Sequence, residues 1–201
     1  MTKVKICGLR SEQDIACANR CLPDYVGFVF ADSKRRINAE TARGLKKQLD
    51  YRIQAVGVFV NQGIDLITRL CRQGVIDCVQ LHGDEDETYI RALRESVSHR
   101  IIKAVGVADA LPVLPVSPDY LLFDTASAQR GGTGKSFDWQ VLEDHSGPPY
   151  FLAGGLDSHN VAQAVERLHP YCVDVSSGVE TDGRKDPEKI DRFIKRARGM
   201  L

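Results

Sequence analysis

Eight short apolar runs, rich in β-branched and aromatic residues, recur along the chain. They are Val4-Lys5-Ile6-Cys7, Tyr25 to Phe30, Gln54 to Val60, Cys78 to Leu81, Ile101 to Val105, Tyr120 to Phe123, Tyr150 to Ala153 and Cys172 to Val175. Their starts lie roughly 20 to 30 residues apart, room for one strand and one crossover helix, which argues βαβ units and a parallel sheet. The intervening segments carry helix signals. Ser11 is placed to cap a helix reaching about Cys21, Asn38 one over Ala39 to Leu49, and Asp84 or Asp86 the helix holding the Ile90, Leu93 and Val97 stripe. Gln62 to Arg72 sets Ile64, Ile67, Leu70 and Cys71 on one face. Asp157 or Ser158 precedes Asn160 to Leu168, and Pro187 suits the first turn of the last helix. Two connections are poor. Pro112, Pro115 and Pro118 interrupt the fifth, and the sixth is a Gly-rich loop with a short helix near Asp138 to Leu142, where Trp139 packs it onto the sheet.

Eight such units close most simply into a (β/α)8 TIM barrel, with residues 1–201 a single domain whose fifth and sixth helical connections are shortened or irregular. At about 25 residues per unit this is near the lower size limit of the fold. An open doubly wound sheet is the rival. It carries a G-x-G-x-x-G turn after its first strand, and Cys7-Gly8-Leu9-Arg10 is not one.

Charge and composition exclude several classes. The chain has 201 residues with 27 Lys plus Arg against 27 Asp plus Glu, so no global basic field draws it to nucleic acid. No apolar run approaches the ~20 residues of a membrane span. The first residues lack a signal-type apolar stretch, and a cytoplasmic start is expected. Six cysteines, with no C-x-x-C and no clustered His, predict reduced and mostly buried thiols, no zinc and no disulfide framework.

A barrel of this kind assembles its site from loops at the C-terminal ends of strands, so the chemically able groups there carry the functional reading. Cys7 ends the first strand. It is either a small buried thiol or a nucleophile or base, given nearby positive charge. Asp124 ends the sixth and suits a general acid, or else caps a turn with Thr125. Arg35, in Ser33-Lys34-Arg35-Arg36, is suited to two-point contact with a carboxylate or phosphate. His82 follows the fourth strand and either touches a ligand or orients a neighbour. Asp174, within the eighth, either reaches sugar hydroxyls or satisfies a backbone group. Three clusters suit a phosphate: Gly131-Gly132-Thr133-Gly134, Gly154-Gly155, and Ser176-Ser177-Gly178. Within them Gly132, Gly134, Gly154, Gly155, Ser176, Ser177 and Gly178 are the expected contacts. The first cluster is no P-loop, because Gln129 stands where that motif requires Gly.

The set formed by Val4-Lys5-Ile6-Cys7-Gly8-Leu9, Val56-Gly57-Val58-Phe59-Val60-Asn61, Val79-Gln80-Leu81-His82-Gly83, Gly131 to Trp139, Leu152-Ala153-Gly154-Gly155-Leu156 and Asp174 to Glu180 resembles the phosphoribosylanthranilate isomerases over nearly the whole chain. The resemblance implies an Amadori rearrangement of N-(5-phosphoribosyl)anthranilate to 1-(2-carboxyphenylamino)-1-deoxyribulose 5-phosphate in tryptophan biosynthesis, without metal or organic cofactor. It places the general base on Cys7 and the general acid on Asp124, with Arg35 on the anthranilate carboxylate and the Gly loops on the phosphate. Ala31-Asp32 leads directly into the Ser-Lys-Arg stretch, a shorter approach than is usual in that family, so Arg36 competes with Arg35 for that role. A histidine-pathway barrel would carry Asp, not Cys7, at the end of its first strand. The expected partner is a small phosphosugar, not nucleic acid or membrane, bound by a monomer or homodimer.

Overall fold

Each strand's outward face is apolar and long enough to cover only one side of a sheet, so the strands need helices outside and closure within. In the computed structural model, which describes residues 1–126, 137–143 and 145–200, that closure is complete. The strands are β1 (Lys3–Cys7), β2 (Tyr25–Val29), β3 (Gln54–Phe59), β4 (Cys78–Leu81), β5 (Arg100–Val107), β6 (Tyr120–Thr125), β7 (Tyr150–Leu152) and β8 (Cys172–Val175). They run parallel in chain order, and β8 pairs back onto β1 through Lys5 opposite Asp174. A closed barrel leaves no unpaired sheet edge.

Six α-helices are described: α1 (Glu12–Cys21), α2 (Ala39–Gln48), α3 (Ile64–Arg72), α4 (Glu87–Ser96), α5 (Val161–Leu168) and α6 (Pro187–Ala197). Four start where a side chain can replace the missing helical acceptor. Ser11 and Asp14 form a reciprocal capping box, while Asn38, Asp86 and Asp186 accept from Thr41, Tyr89 and Glu188 backbone N–H groups. Asp86, and not Asp84, is therefore the cap of α4. The segment expected to start a helix at Gln62 begins later, after Gly63 and with no side-chain cap. Before α5, Asp157 accepts from His159 and Asn160 N–H groups, one turn ahead of the helix proper.

The weak connections behave as the prolines dictate. No helix lies between β5 and β6, and the described part of the link from β6 to β7 is a 3₁₀ turn, Trp139–Leu142, with Trp139 buried. One element was not anticipated. Glu180–Thr181 (β9) and Arg184–Lys185 (β10) form a hairpin closed by Asp182-Gly183, both at positive φ. Asp-Gly is a favoured two-residue hairpin turn, but its flanks have no apolar alternation to announce strands.

Alternation along each strand sorts the core. Val4, Ile6, Val79, Leu81, Leu121, Phe123, Val173 and Val175 belong to the cluster beneath the helices. Tyr25, Val56, Cys78, Ile102, Leu122, Phe151 and Cys172 fill a separate interior cluster. One step of two residues beyond these interior positions come Gln80, Asp124 and Asp174. Period two thus carries the inner face from apolar to polar toward the strand C-termini. The six cysteines are all free, but only Cys71, Cys78 and Cys172 are fully buried; Cys7, Cys17 and Cys21 are partly exposed, which corrects the expectation of mostly buried thiols.

Ser11→Ala removes half of the capping box and is expected to destabilise the fold by about 1 kcal/mol, read as a lower urea midpoint with unchanged slope.

Candidate active site

The residues picked out from the sequence converge on the C-terminal end of the barrel. Cys7 ends β1 and Asp124 lies one residue before the end of β6, three steps round the barrel by way of β7 and β8. Burial pushes the Cys7 thiol up from its ordinary range, and the charges of Lys5 and Lys185 oppose that push. Lys5 sits two residues earlier on the same strand face, fully buried, with Nζ 2.6 Å from Asp174 Oδ2. Burial would lower the Lys5 ammonium; the charge of Asp174 and its hydrogen bond reverse this and hold it above the usual lysine range. Asp174 therefore points inward, and its partner is a lysine that neither sequence reading named. Its Oδ1 is buried with no partner among the described residues.

Arg35 lies over Gly8. A Cβ at Gly8, whose φ is +85°, would stand 2.4 Å from Arg35 Cδ, so only glycine allows this approach. Arg35 donates from Nε and Nη2 to the two carboxylate oxygens of Glu180, each at 2.8 Å. One edge of the Arg35 fork thus grips Glu180, a partner the sequence did not announce. Arg36 is exposed and bridges to Val29. Lys185, almost wholly buried on β10, donates to Glu180 Oε1 and to Ser176 O, both at 2.9 Å. Arg10 ties the same region together, donating to Lys34 O and Gly183 O. Burial alone would raise the Glu180 carboxyl, but the hydrogen bonds from Arg35 and Lys185 hold it at about 2.

On the opposite wall, Asp124 Oδ1 accepts from its neighbour's backbone, Thr125 N–H, at 2.8 Å. The turn-capping reading of Asp124 is thus met, and Oδ2 is left for other work. His82 Nε2 stands 3.5 Å from that Oδ2. The other His82 nitrogen, Nδ1, is 2.9 Å from Gln80 Nε2. His82 thus lies between Gln80 and Asp124. A Cβ at Gly154, at φ +81°, would approach Thr125 Oγ1 to 2.6 Å and Asp124 Oδ1 to 3.3 Å, so the loop after β7 lies directly against the Asp124 turn.

Gly154, Gly155, Ser176, Ser177 and Gly178 fall at adjoining strand ends, and Gly178 packs against Leu156 O. Ser176 spends its hydroxyl on Cys7 O at 3.0 Å, so what it can offer a ligand is backbone N–H. Gly132 and Gly134 lie outside the described residues. Among the described residues no group of three or more His, Cys, Asp or Glu is placed to hold a metal ion, and no helix is long and apolar enough to cross a membrane.

Four functional neighbours escaped sequence reasoning: Lys5, Gln80, Glu180 and Lys185. Lys5 and Gln80 did leave a signal. Each is a polar residue on the inward face of an otherwise apolar strand, two residues before Cys7 and His82 respectively.

A thiol and a carboxyl on different strands of one barrel mouth, beside an arginine and glycine loops, define an acid–base enzyme of the phosphosugar-handling (β/α)8 class. The comparisons narrow this further. Residues 4–196 match the family model for N-(5'-phosphoribosyl)anthranilate (PRA) isomerase. The N-(5'-phosphoribosyl)anthranilate isomerase of Endomicrobium trichonymphae is 50% identical over 201 residues, covering 100% of both chains. The crystal structure of phosphoribosyl anthranilate isomerase from Thermotoga maritima superposes with a TM-score of 0.86 at 36% identity, covering 99% of this chain and 100% of that one. A phosphoribosyl anthranilate isomerase solved with reduced 1-(o-carboxyphenylamino)-1-deoxyribulose 5-phosphate has a TM-score of 0.82 at 34% identity, again covering 99% and 100%. The chain belongs to the N-(5'-phosphoribosyl)anthranilate isomerase family, enzymes of tryptophan biosynthesis.

Glu180 binds protons less readily in the folded chain than at its ordinary carboxylate value of 4.5. A depressed folded value stabilises above the unfolded one and is lost as pH falls through the folded one. Glu180→Gln is therefore expected to lower the urea midpoint at pH 7, with the difference from the parent narrowing as pH drops from 4.5 toward 2.

Proposed function

We propose that this chain isomerises N-(5'-phosphoribosyl)anthranilate with Asp124 as general acid and Cys7 as general base, and with no metal or organic cofactor. The carrying observation is the placement of these two groups on β1 and β6 at one barrel mouth, each in a different electrostatic setting. Asp124 protonates the furanose ring oxygen, and the C1–O bond breaks to leave an iminium. The Cys7 thiolate then removes the C2 proton. The resulting enolamine becomes the ketone as its hydroxyl loses a proton and C1 gains one. Lys5 and Lys185 are the cations that favour the thiolate in this step.

Two anionic ends hold the sugar between acid and base. Arg35, clamped by Glu180 on one edge, presents its remaining N–H groups to the anthranilate carboxylate. The loops of Gly154-Gly155 and Ser176-Ser177-Gly178 take the phosphate on backbone N–H groups, with Gly132 and Gly134 assigned to the same end. Asp174 Oδ1, buried and unpartnered, is placed to accept a sugar hydroxyl. Fixing both ends converts binding into alignment of the reacting carbons. We read residues 1–201 as one such barrel domain and a cytoplasmic setting as the natural place for it; net charge zero fits a ligand held by local groups.

Turnover is read as loss of substrate fluorescence; a folded protein that leaves N-(5'-phosphoribosyl)anthranilate unchanged overturns the proposal. Cys7→Ala and Asp124→Asn are each expected to lower kcat by at least ~100-fold. A near-normal kcat in either variant removes that residue from the chemistry. Arg35→Ala is expected to raise KM about tenfold or more, the loss of one charge-assisted contact. The same loss from Arg36→Ala, with Arg35→Ala unaffected, would move the assignment by one residue.

A further inference from the structure

His82 is held by more structure than a bystander needs. Its N–H donates to Phe59 O at 2.7 Å, fixing it to the end of β3. Just behind it, Glu85 accepts from Gly83 and Asn61 N–H groups, and Lys103 Nζ on β5 reaches both Gly83 O and Glu85. Its ring spans Gln80 on one side and Asp124 on the other, and both His82 and Asp124 keep about 15% of their side chains open to water. The sequence of steps above uses Asp124 and leaves this assembly without a task.

The proton balance supplies one. Along that sequence the substrate gains protons at the ring oxygen and C1 and loses them at C2 and the enol hydroxyl, so the product carries no net change. With the enol proton released to water and C1 protonated from water, Asp124 ends as a carboxylate and Cys7 as a thiol, and Cys7 returns its proton to water as Asp124 takes one back. Asp124 must regain a proton before it acts again.

We propose that His82 and Asp124 hold the acid proton as a pair, and that the Gln80 amide turns over as the pair is loaded and spent. The inference rests on Asp124 being the acid. In the spent pair Asp124 is ionised and neutral His82 faces it with Nε2–H, which leaves Nδ1 bare and accepting from Gln80 Nε2–H. The loaded pair carries one proton more. Whether that proton sits on Oδ2 or Nε2, Nδ1 is then protonated and demands an acceptor. Gln80 Oε1 is that acceptor once the amide has turned through half a rotation. Amide O and N occupy near-equivalent positions and are interchangeable in this role. Gln80 Oε1 is buried and lacks a partner among the described residues in the spent arrangement, so nothing else there competes for it. The replacement proton comes from water at the open edge of the pair. His82 and Gln80 are thus positioning residues: they act through Asp124 and not on the sugar.

The test compares Gln80→Glu, Gln80→Met and His82→Asn with Asp124→Asn in steady-state turnover, alongside ¹⁵N NMR of the His82 ring in the unaltered protein. Gln80→Glu keeps the acceptor that the loaded pair needs but offers no donor to the spent pair, and is expected to retain more of kcat than Gln80→Met does. Gln80→Met and His82→Asn are expected to lower kcat about tenfold or more with KM nearly unchanged, and added imidazole restores part of the His82→Asn loss. The NMR is expected to show Nδ1 protonated in the active protein at neutral pH. Full kcat in both Gln80→Met and His82→Asn, with Asp124→Asn inactive, overturns the pair while leaving Asp124 as the acid. It would mean that Asp124 recovers its proton from the enol hydroxyl. Loss in all four variants through KM alone, or a bare Nδ1 in the active protein, overturns it too. A normal Asp124→Asn instead defeats the acid assignment itself.

Discussion

Closing eight parallel strands into a barrel imposes one constraint on which the rest depends: every second residue points into a space too narrow for anything but side chains. Here that space is stoppered at its base by Tyr25, Phe151 and their apolar neighbours. The same alternation then places Lys5, Gln80 and Asp174 above the stopper, and Cys7, His82 and Asp124 at or above that level. Polar groups in such a setting persist only when they answer one another. Lys5 and Asp174, directly opposite across the β1–β8 seam, do so at 2.6 Å. Breaking one partner of a buried pair leaves an uncompensated charge and costs about 3–5 kcal/mol, which explains how a lysine can be wholly enclosed in the middle of a barrel.

The layering also sets the surroundings of the thiol and the carboxyl proposed as base and acid. A catalytic thiol works better as thiolate, and burial disfavours it; two lysines work in the other direction. Lys5 reaches the thiol while held by Asp174, and Lys185 is held by Glu180 and Ser176 O. Asp124 has no cation among its named contacts; it meets a backbone N–H and a histidine. The two groups thus have different neighbours, lysines for the thiol and a histidine and a backbone N–H for the carboxyl.

Much of this was legible in the sequence, for identifiable reasons. All eight strands show as apolar runs because both faces are covered over most of their length. Ser11, Asn38 and Pro187 marked helix starts because capping is a local interaction within a few residues. Cys7 and Asp124 stood out because strand C-termini are where this fold does chemistry. What was not legible depends on partners far apart in the chain. Glu180 meets Arg35 across 145 positions, and Lys5 meets Asp174 across 169. No local pattern announces either. The β9–β10 hairpin was missed because its four strand residues are polar or charged and borrow their order from Arg35, Arg10 and Asp186.

That hairpin links Arg35 to Cys7. Glu180 and Lys185 sit on its two strands, paired in register and joined by an ion pair. One end of the pair grips Arg35, the proposed carboxylate contact; the other lies close enough to Cys7 to bias its ionisation. A ligand carboxylate on Arg35 competes electrostatically with Glu180 for the same guanidinium. Any loosening of that grip frees more of Glu180 for Lys185 and less of Lys185's charge for the thiol. On the proposed assignment of Arg35, the clamp stays closed when substrate binds and the carboxylate takes only the outer edge of the guanidinium. The bidentate geometry, two bonds of 2.8 Å from Nε and Nη2, is the arrangement that leaves that edge available without opening the clamp.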